Sequence, residues 1–470
     1  MRWLGRRSPS NSVVVMIRFF SANDSGLLRR ILGLTLPITL GAMVQTSYHL
    51  VNAFWVGRLD ADAVAVISLS LPINMLLISI GSGLALATSI IIAQLFGKQD
   101  VKQINHVVVQ SLWAIVVLSL LVAVIGYWLA PLLPSLFGVN EAISEQLINY
   151  LRISFCSLLF VMLCSLYQSV LRAMGEVKAP LRLILASVVI NGLLDPWFIF
   201  GWGWVPAMGV EGAAYATLIT QSLTALAGLQ LMLQPRFGLR LRTVAWRLDI
   251  AAITRLFRLG IPASIEQSTQ ALSVSVMNML VAPFGTLTLA AFGITFRIFT
   301  LLMIPSFCLS IAVSILVGQA LGAANEQQCH RITRVASLLG ITIMAVVTLL
   351  FLLFAQPIVA IFVPNDPAVI AKGAIIIQVL AITLPFTVLQ LVLGGTLRGA
   401  GATMASMTLT LISTWIVQLP LVYWLSRDSW FGEAGLWWAS VVTSLLTTVL
   451  IWWYYRGRRW LGSIAVVDGK

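Results

Sequence analysis

Asp195 is the residue whose surroundings most clearly prescribe chemistry. It belongs to the stretch Asn191-Gly-Leu-Leu-Asp195-Pro196, inside an apolar run from about Leu183 past Phe200 that is long enough to cross a bilayer. A carboxylate at mid-membrane depth costs roughly 2.5–3.5 kcal/mol on insertion scales, so such residues are rare and usually functional, the alternative being a buried Asp satisfied by its neighbours for packing. Asn191 precedes it by four residues and shares its helix face. Pro196 removes a backbone donor and crowds the preceding turn, which predicts a bend and a free carbonyl. An acid, an amide and a bend at one depth suit a proton or a cation.

Other polar side chains fall at helical spacing. Glu266, Gln267 and Gln270 give one apolar segment a polar face. Glu266 is expected either to attract a cationic substrate or carry a second proton, or to bridge near the membrane edge to Arg255 or Arg258. Gln45, Tyr48 and Asn52 share a face at spacings of three and four, which fits cavity lining, although such side chains at helical spacing more often pack. Thr217 follows a glycine-rich helix start and is expected to reach towards Asp195. Arg297 is the only basic residue predicted well inside a span, where it should pair with backbone or a polar neighbour. His49, His106 and His330 lack ligand spacing.

These residues must be positioned by membrane helices. The chain of 470 residues is 59% hydrophobic and 10% charged, with a mean hydropathy of +0.96. Repeated apolar stretches of about 20 residues indicate an all-α polytopic membrane protein. Hydropathy predicts twelve spans, at 30–56, 63–92, 107–130, 147–171, 179–201, 210–233, 252–281, 287–317, 333–355, 371–396, 403–425 and 434–455. The net charge of +13 then reads as topology. Lys98, Lys102, Arg172, Lys178, Arg182, Arg236, Arg240, Arg242, Arg247, Arg331 and Arg334 follow even-numbered spans, which puts both termini in the cytoplasm. Expected boundaries are a cytoplasmic tail at 1–26, an N-lobe at 27–233, a linker at 234–251, a C-lobe at 252–455 and a tail at 456–470. Cys156 and Cys164 would lie about 12 Å apart along one helix, too far to bridge.

The chain repeats itself. Residues 37–111 lie over 262–336 at an offset of 225, matching Pro37 to Pro262, Gln45 to Gln270, Gln94 to Gln319 and Gly97 to Gly322. Leu171-Arg-Ala-Met-Gly175 matches Leu397-Arg-Gly-Ala-Gly401 at an offset of 226. Six spans per unit is an even number, so the two six-helix lobes are parallel repeats about an axis along the membrane normal. Transporters so built hold their substrate between the lobes.

Val56-Gly-Arg-Leu59, Leu316-Val-Gly-Gln-Ala-Leu-Gly-Ala323, Leu171 to Gly175, Asn191 to Pro196 and Gly209-Val-Glu-Gly-Ala-Ala214 come in an order and spacing that resembles the multidrug and toxic compound extrusion (MATE) family. The likeness covers nearly the whole chain after residue 26. It implies two bundles around a central cavity, exporting organic cations or amphipathic drugs and metabolites against inward protons or sodium. The Asn-x-x-x-Asp pair resembles the DinF-like, proton-coupled branch. That branch tends to carry an acid four residues before the Val-Gly, where this chain has Asn52, so the resemblance assigns proton coupling to Asp195 with Asn191 and Asn52. The substrate cavity is then expected to take Gln45, Tyr48, Thr217, Glu266, Gln267 and Gln270. Sodium coupling is the alternative. Export of a lipid-linked substrate is a further one, ranked lower because an anionic diphosphate lipid would demand several arginines.

The expected partners are a small-molecule substrate, protons and the lipid of a bacterial inner membrane. No nucleic acid, metal or cofactor is expected, and the chain should act as a monomer. No Gly-x-x-x-x-Gly-Lys-Ser/Thr loop is present, which excludes a transport ATPase, and no catalytic constellation supports an enzyme.

Overall fold

The fold was analysed as a computed structural model that describes residues 24–138, 140–203, 206–234, 239, 247–427 and 431–463. The expected tail at 1–26, apart from its last three residues, lies outside these, as do most of the 234–251 linker and residues 464–470.

Twelve transmembrane helices follow in order. The first six are α1 (Ser25–Val56), α2 (Ala61–Lys98), α3 (Val101–Leu129), α4 (Glu141–Ala173), α5 (Lys178–Phe200) and α6 (Gly209–Met232). The second six are α7 (Ile250–Val281), α8 (Thr286–Gly322), α9 (Glu326–Phe362), the two-part α10 (Pro367–Ala381 and Leu384–Gly399), α11 (Thr403–Leu425) and α12 (Glu433–Arg456). Among the described residues nine helices are each long and apolar enough to cross a membrane, and the bent α10 makes a tenth. The other two, α6 and α7, fall short because they carry small and polar residues for the lobe interiors. On α7 those include Glu266 and Thr269, both buried.

Span ten was expected to be continuous but bends by 47° between its halves. Pro385 sits at the start of the second half and cannot donate to the preceding turn, which ends the first. In α9, Pro357 crowds the turn before it, and Phe354 leaves helical geometry at φ −121°. A π-helical segment, Ile412–Gln418, interrupts α11.

Asn191 and Asp195 lie on α5, whose bounds nearly match the expected span 179–201. The helix ends at Phe200, and Gly201 takes φ +73°. Asp195 is therefore five residues, roughly 8 Å at 1.5 Å per residue, from the end of α5.

Both described chain ends lie at the same end of the molecule. Arg331 at the start of α9 pairs with Asp24 ahead of α1. His330 Nδ1 lies 2.7 Å from the Tyr455 hydroxyl near the end of α12. At this termini end Gln110 also holds the start of α7, donating to Arg247 O at 2.8 Å and accepting from Asp249 N at 3.0 Å. Asp249 caps α7, and the Ala252 amide together with His106 holds its carboxyl below the usual carboxylate range.

The lobes meet along a seam that obeys the repeat. Gln94 Nε2 of α2 donates to Gly399 O of α10 at 3.0 Å, and Gln319 Nε2 of α8 donates to Ala173 O of α4 at 2.8 Å. Each partner is the repeat-mate of the other. Beside them a Cβ on Gly97 would come 2.0 Å from Gln319 O, and one on Gly322 would come 1.8 Å from Gln94 O. Only glycine lets α2 and α8 cross this closely. The seam continues through Ser82 Oγ to Gln267 Oε1 at 2.8 Å and Ser264 Oγ to Ile80 O at 3.3 Å.

Helix ends repeat as well. Gly175 and Gly401, at φ +87° and +90°, close α4 and α10 with matched pairs of backbone bonds. The corresponding ends of α2 and α8 use Gln99 (φ +60°) and Ala324 (φ +54°). A side chain in this region costs about 1–2 kcal/mol. Ala324→Gly is expected to raise stability by about 0.5–1 kcal/mol after glycine's extra chain entropy is counted, seen as a higher thermal midpoint in detergent.

Candidate functional site

Two polar clusters occupy corresponding interiors, one per lobe. In the N-lobe, Asn191 Nδ2 donates to Asp195 Oδ1 at 3.0 Å, and both residues are fully buried. The i, i+4 spacing on α5 places them together. Asp195 Oδ2, Asn191 Oδ1, Thr220 Oγ1 of α6 and Asn52 Oδ1 of α1 are buried without a hydrogen-bond partner. Pro196 adds to this, since the Gly192 carbonyl loses its usual helical donor. Val51 packs near Gly192, which brings the Asn52 turn of α1 to the Asp195 end of α5. Tyr48 donates to Thr217 Oγ1 at 3.0 Å, and both Tyr48 and Tyr150 of α4 lie within electrostatic reach of Asp195. Oxygen-rich and without protein partners for several of its oxygens, this cluster suits a proton or a small cation.

In the C-lobe, Arg398 Nη1 meets Glu266 Oε1 at 2.7 Å, the side chains being 17% and 7% exposed. Ser406 Oγ and Thr410 Oγ1 donate to the same oxygen at 3.1 and 3.4 Å. Arg398 Nη2 donates to Ser310 Oγ at 2.8 Å, and Ser310 also bonds Leu391 O. Glu266 Oε2 has no partner. The network forms one wall of a cavity of about 390 Å³ enclosed by α7, α8, α10, α11 and α12. Phe292, Phe296, Phe299, Phe307 and Trp437 give it an aromatic side, and Gln270, Gln390 and a group of Ser and Thr residues a polar one. The irregular backbone lines it too: Thr383 at the α10 break, and Ser413, Thr414 and Gln418 of the π segment. Broken helices at membrane depth are tolerated where they line a cavity. The volume lies within the usual range for a drug-sized ligand.

The expected substrate residues thus separate. Glu266 and Gln270 share the C-lobe cavity. Gln267 belongs to the seam, bonded to Ser82. Tyr48 and Thr217 bond each other beside Asp195, and Gln45 is half-buried on α1.

Three expectations about charge are corrected. Glu266 bridges to Arg398, not to Arg255 or Arg258, because α10 delivers its last turn against the middle of α7. Arg297 is not the only arginine within the lobes. It is exposed and forms no ion pair among the described residues, because Ala291, Thr295 and Ile298 take the packed face of α8. Arg398 was placed just past a span by hydropathy, although its repeat motif was visible. The long side chain reaches back from the helix end into the lobe.

Breaking a buried ion pair on one side leaves an uncompensated charge and typically costs about 3–5 kcal/mol. Glu266→Gln alone is expected to lower the thermal midpoint sharply. Glu266→Gln with Arg398→Gln should recover most of it, which thermal unfolding in detergent would check.

With this geometry in place, comparisons with known proteins give a consistent result. The MatE family model matches residues 37–197 and 262–424, one stretch in each lobe. The chain is 28% identical over 448 residues to the probable multidrug resistance protein YpnP of Bacillus subtilis (strain 168), covering 94% of this chain and 98% of that protein. It is 28% identical over 417 residues to the probable multidrug resistance protein NorM of Mannheimia succiniciproducens, covering 87% and 89%. Among solved structures, a MATE protein in complex with MaL6 superposes with a TM-score of 0.84 at 24% identity, over 92% of this chain and 96% of that one. A mutant of the Vibrio cholerae MATE transporter VcmN gives 0.85 at 22% identity, over 93% and 98%. At these identities the structures establish the shared fold.

Proposed function

The chain belongs to the MatE family, and from that premise we propose that it is a secondary active antiporter, not an enzyme, exporting organic or amphipathic compounds in exchange for protons. The observation that carries the coupling is the buried Asp195 with one oxygen on Asn191 and the other unpartnered. We assign the proton to Asp195, with Asn191 and Asn52 as hydrogen-bonding neighbours, and the substrate to the C-lobe cavity that Glu266 and Gln270 line.

Ionised, Asp195 favours the state that holds substrate. Protonated, it is neutral, its electrostatic interaction with Tyr48 of α1 and Tyr150 of α4 is lost, and substrate is released. Its position close to the α5 end opposite the termini supports proton entry from that side. The positive-inside pattern makes that side external and both termini cytoplasmic. The seam is closed at the termini end, which fits a state open to the outside.

Exchange of one proton for one monovalent cation moves no net charge. Only the pH gradient drives it then, about 1.4 kcal/mol per unit. A substrate without net charge would gain roughly 2.3 kcal/mol per 100 mV as well.

The four unpartnered oxygens also favour a second reading, a sodium ion held by hard oxygen ligands. Inverted membrane vesicles decide between them. Substrate uptake driven by an imposed pH gradient without sodium supports proton coupling, and uptake that needs a sodium gradient overturns it.

A further inference from the structure

We infer that the C-lobe cavity selects aromatic zwitterions over the corresponding lone cations, with Arg398 as the specificity-determining residue; this rests on the reading of that cavity as the substrate site. The lining contains one acid, Glu266, one base, Arg398, and no other charged side chain. The two already neutralise each other at 2.7 Å in a buried setting. A lone organic cation therefore meets no uncompensated carboxylate. Placed at Glu266 Oε2, it sets a second positive charge beside Arg398 with one carboxylate for the two, and that net charge stays buried among apolar groups, which is costly.

A zwitterion adds no net charge and finds both halves of its complement. A guanidinium has five N–H donors in a fixed fork. Glu266 and Ser310 take one each at short range, and Ser406 receives a longer contact at 3.5 Å. Donors remain for a substrate carboxylate, which a guanidinium binds with directional specificity. Glu266 Oε2, buried and without a partner, faces the positive end of the same substrate. Its aromatic body lies among Phe296, Phe299, Phe307 and Trp437. Leaving either buried oxygen or guanidinium without its complement is the penalty that rejects the wrong ligand.

The test uses two dyes with the same xanthylium body: rhodamine B, a zwitterion at neutral pH, and its ethyl ester, a cation. Binding to the purified full chain in detergent is read by fluorescence polarisation. Wild type is expected to bind the zwitterion at least tenfold more tightly than the ester. Arg398→Gln should reverse the preference, weakening the zwitterion tenfold or more and strengthening the ester, because Glu266 is then unpaired. Should Arg398→Gln fail to fold, the double variant Glu266→Gln/Arg398→Gln decides, since it removes both charges together. Its preference should fall to near unity, and a wild-type ratio in the double variant overturns the proposal. A wild type that binds the ester as tightly as the zwitterion overturns this selectivity alone and leaves the cavity as a binding site. Binding of neither dye overturns the cavity assignment as well, while pH-driven export in vesicles is judged separately.

Discussion

Asp195→Asn is expected to abolish pH-driven export while leaving the protein folded and inserted. Asn is nearly isosteric with a protonated Asp, and Asn191 can still bond to its amide oxygen as it now bonds to Asp195 Oδ1. Removing a buried ionisable group leaves no charge unpaired, since no cationic side chain among the described residues bonds it. What disappears is the ability to cycle between charged and neutral states. A pH gradient sustains about a tenfold concentration ratio per unit for each proton exchanged, so a two-unit gradient should lose about a hundredfold in accumulation. The repeat offers no substitute: the corresponding C-lobe position, Leu421 at an offset of 226, is apolar, as is Leu419 when Pro196 and Pro420 are superposed instead. Asp195→Glu should keep partial export with a displaced pH profile. Purified protein in vesicles, scored for pH-driven efflux, gives the answer. Near wild-type pumping by Asp195→Asn would move coupling elsewhere, with Glu266 next in line.

Gly322→Val should have an effect of similar size by a different route. The added Cβ would lie 1.8 Å from the Gln94 carbonyl oxygen. That atom is backbone, so no rotamer change can make room, and α2 and α8 must separate. The state with the termini end closed is then lost, and a transporter unable to close one gate cannot complete its cycle. Export should fall to the leak rate. The buried Cys308, which faces Thr39 of α1 across the lobes, should become open to a thiol reagent. A shift of about 1.4 kcal/mol in the closed–open equilibrium gives a tenfold faster labelling rate. Gly293→Ala is the control, because a Cβ there meets nothing within 4 Å on the same helix. Unchanged Cys308 labelling in an inactive Gly322→Val would show that the seam does not gate access.

Much of this architecture was legible before any coordinates. The constant offset matched Gln94 to Gln319 and Gly97 to Gly322, and these four residues build the tightest part of the seam. Their spacing survives because backbone crossing leaves no freedom for other side chains. Asn191 and Asp195 were legible too, because helical spacing alone brings them together. Arg398 was not. Hydropathy marks where a helix enters lipid but carries no information on which way a six-atom side chain folds back from its end. The break in α10 had a signal, Pro385, that a smoothed apolar pattern conceals.

The exchanged glutamines have a consequence for how the molecule is put together. Gln94 of one half grips Gly399 of the other, and Gln319 returns the same grip on Ala173. Residue i touches j′ while i′ touches j, which is the bonding rule of an isologous two-fold dimer. A true homodimer would have to carry the same side chains twice and so perform one task at two places. Two halves in one chain are free of that restriction: one holds the acid Asp195 beside an amide, while the other pairs its acid with an arginine, on a frame that is symmetric at the seam.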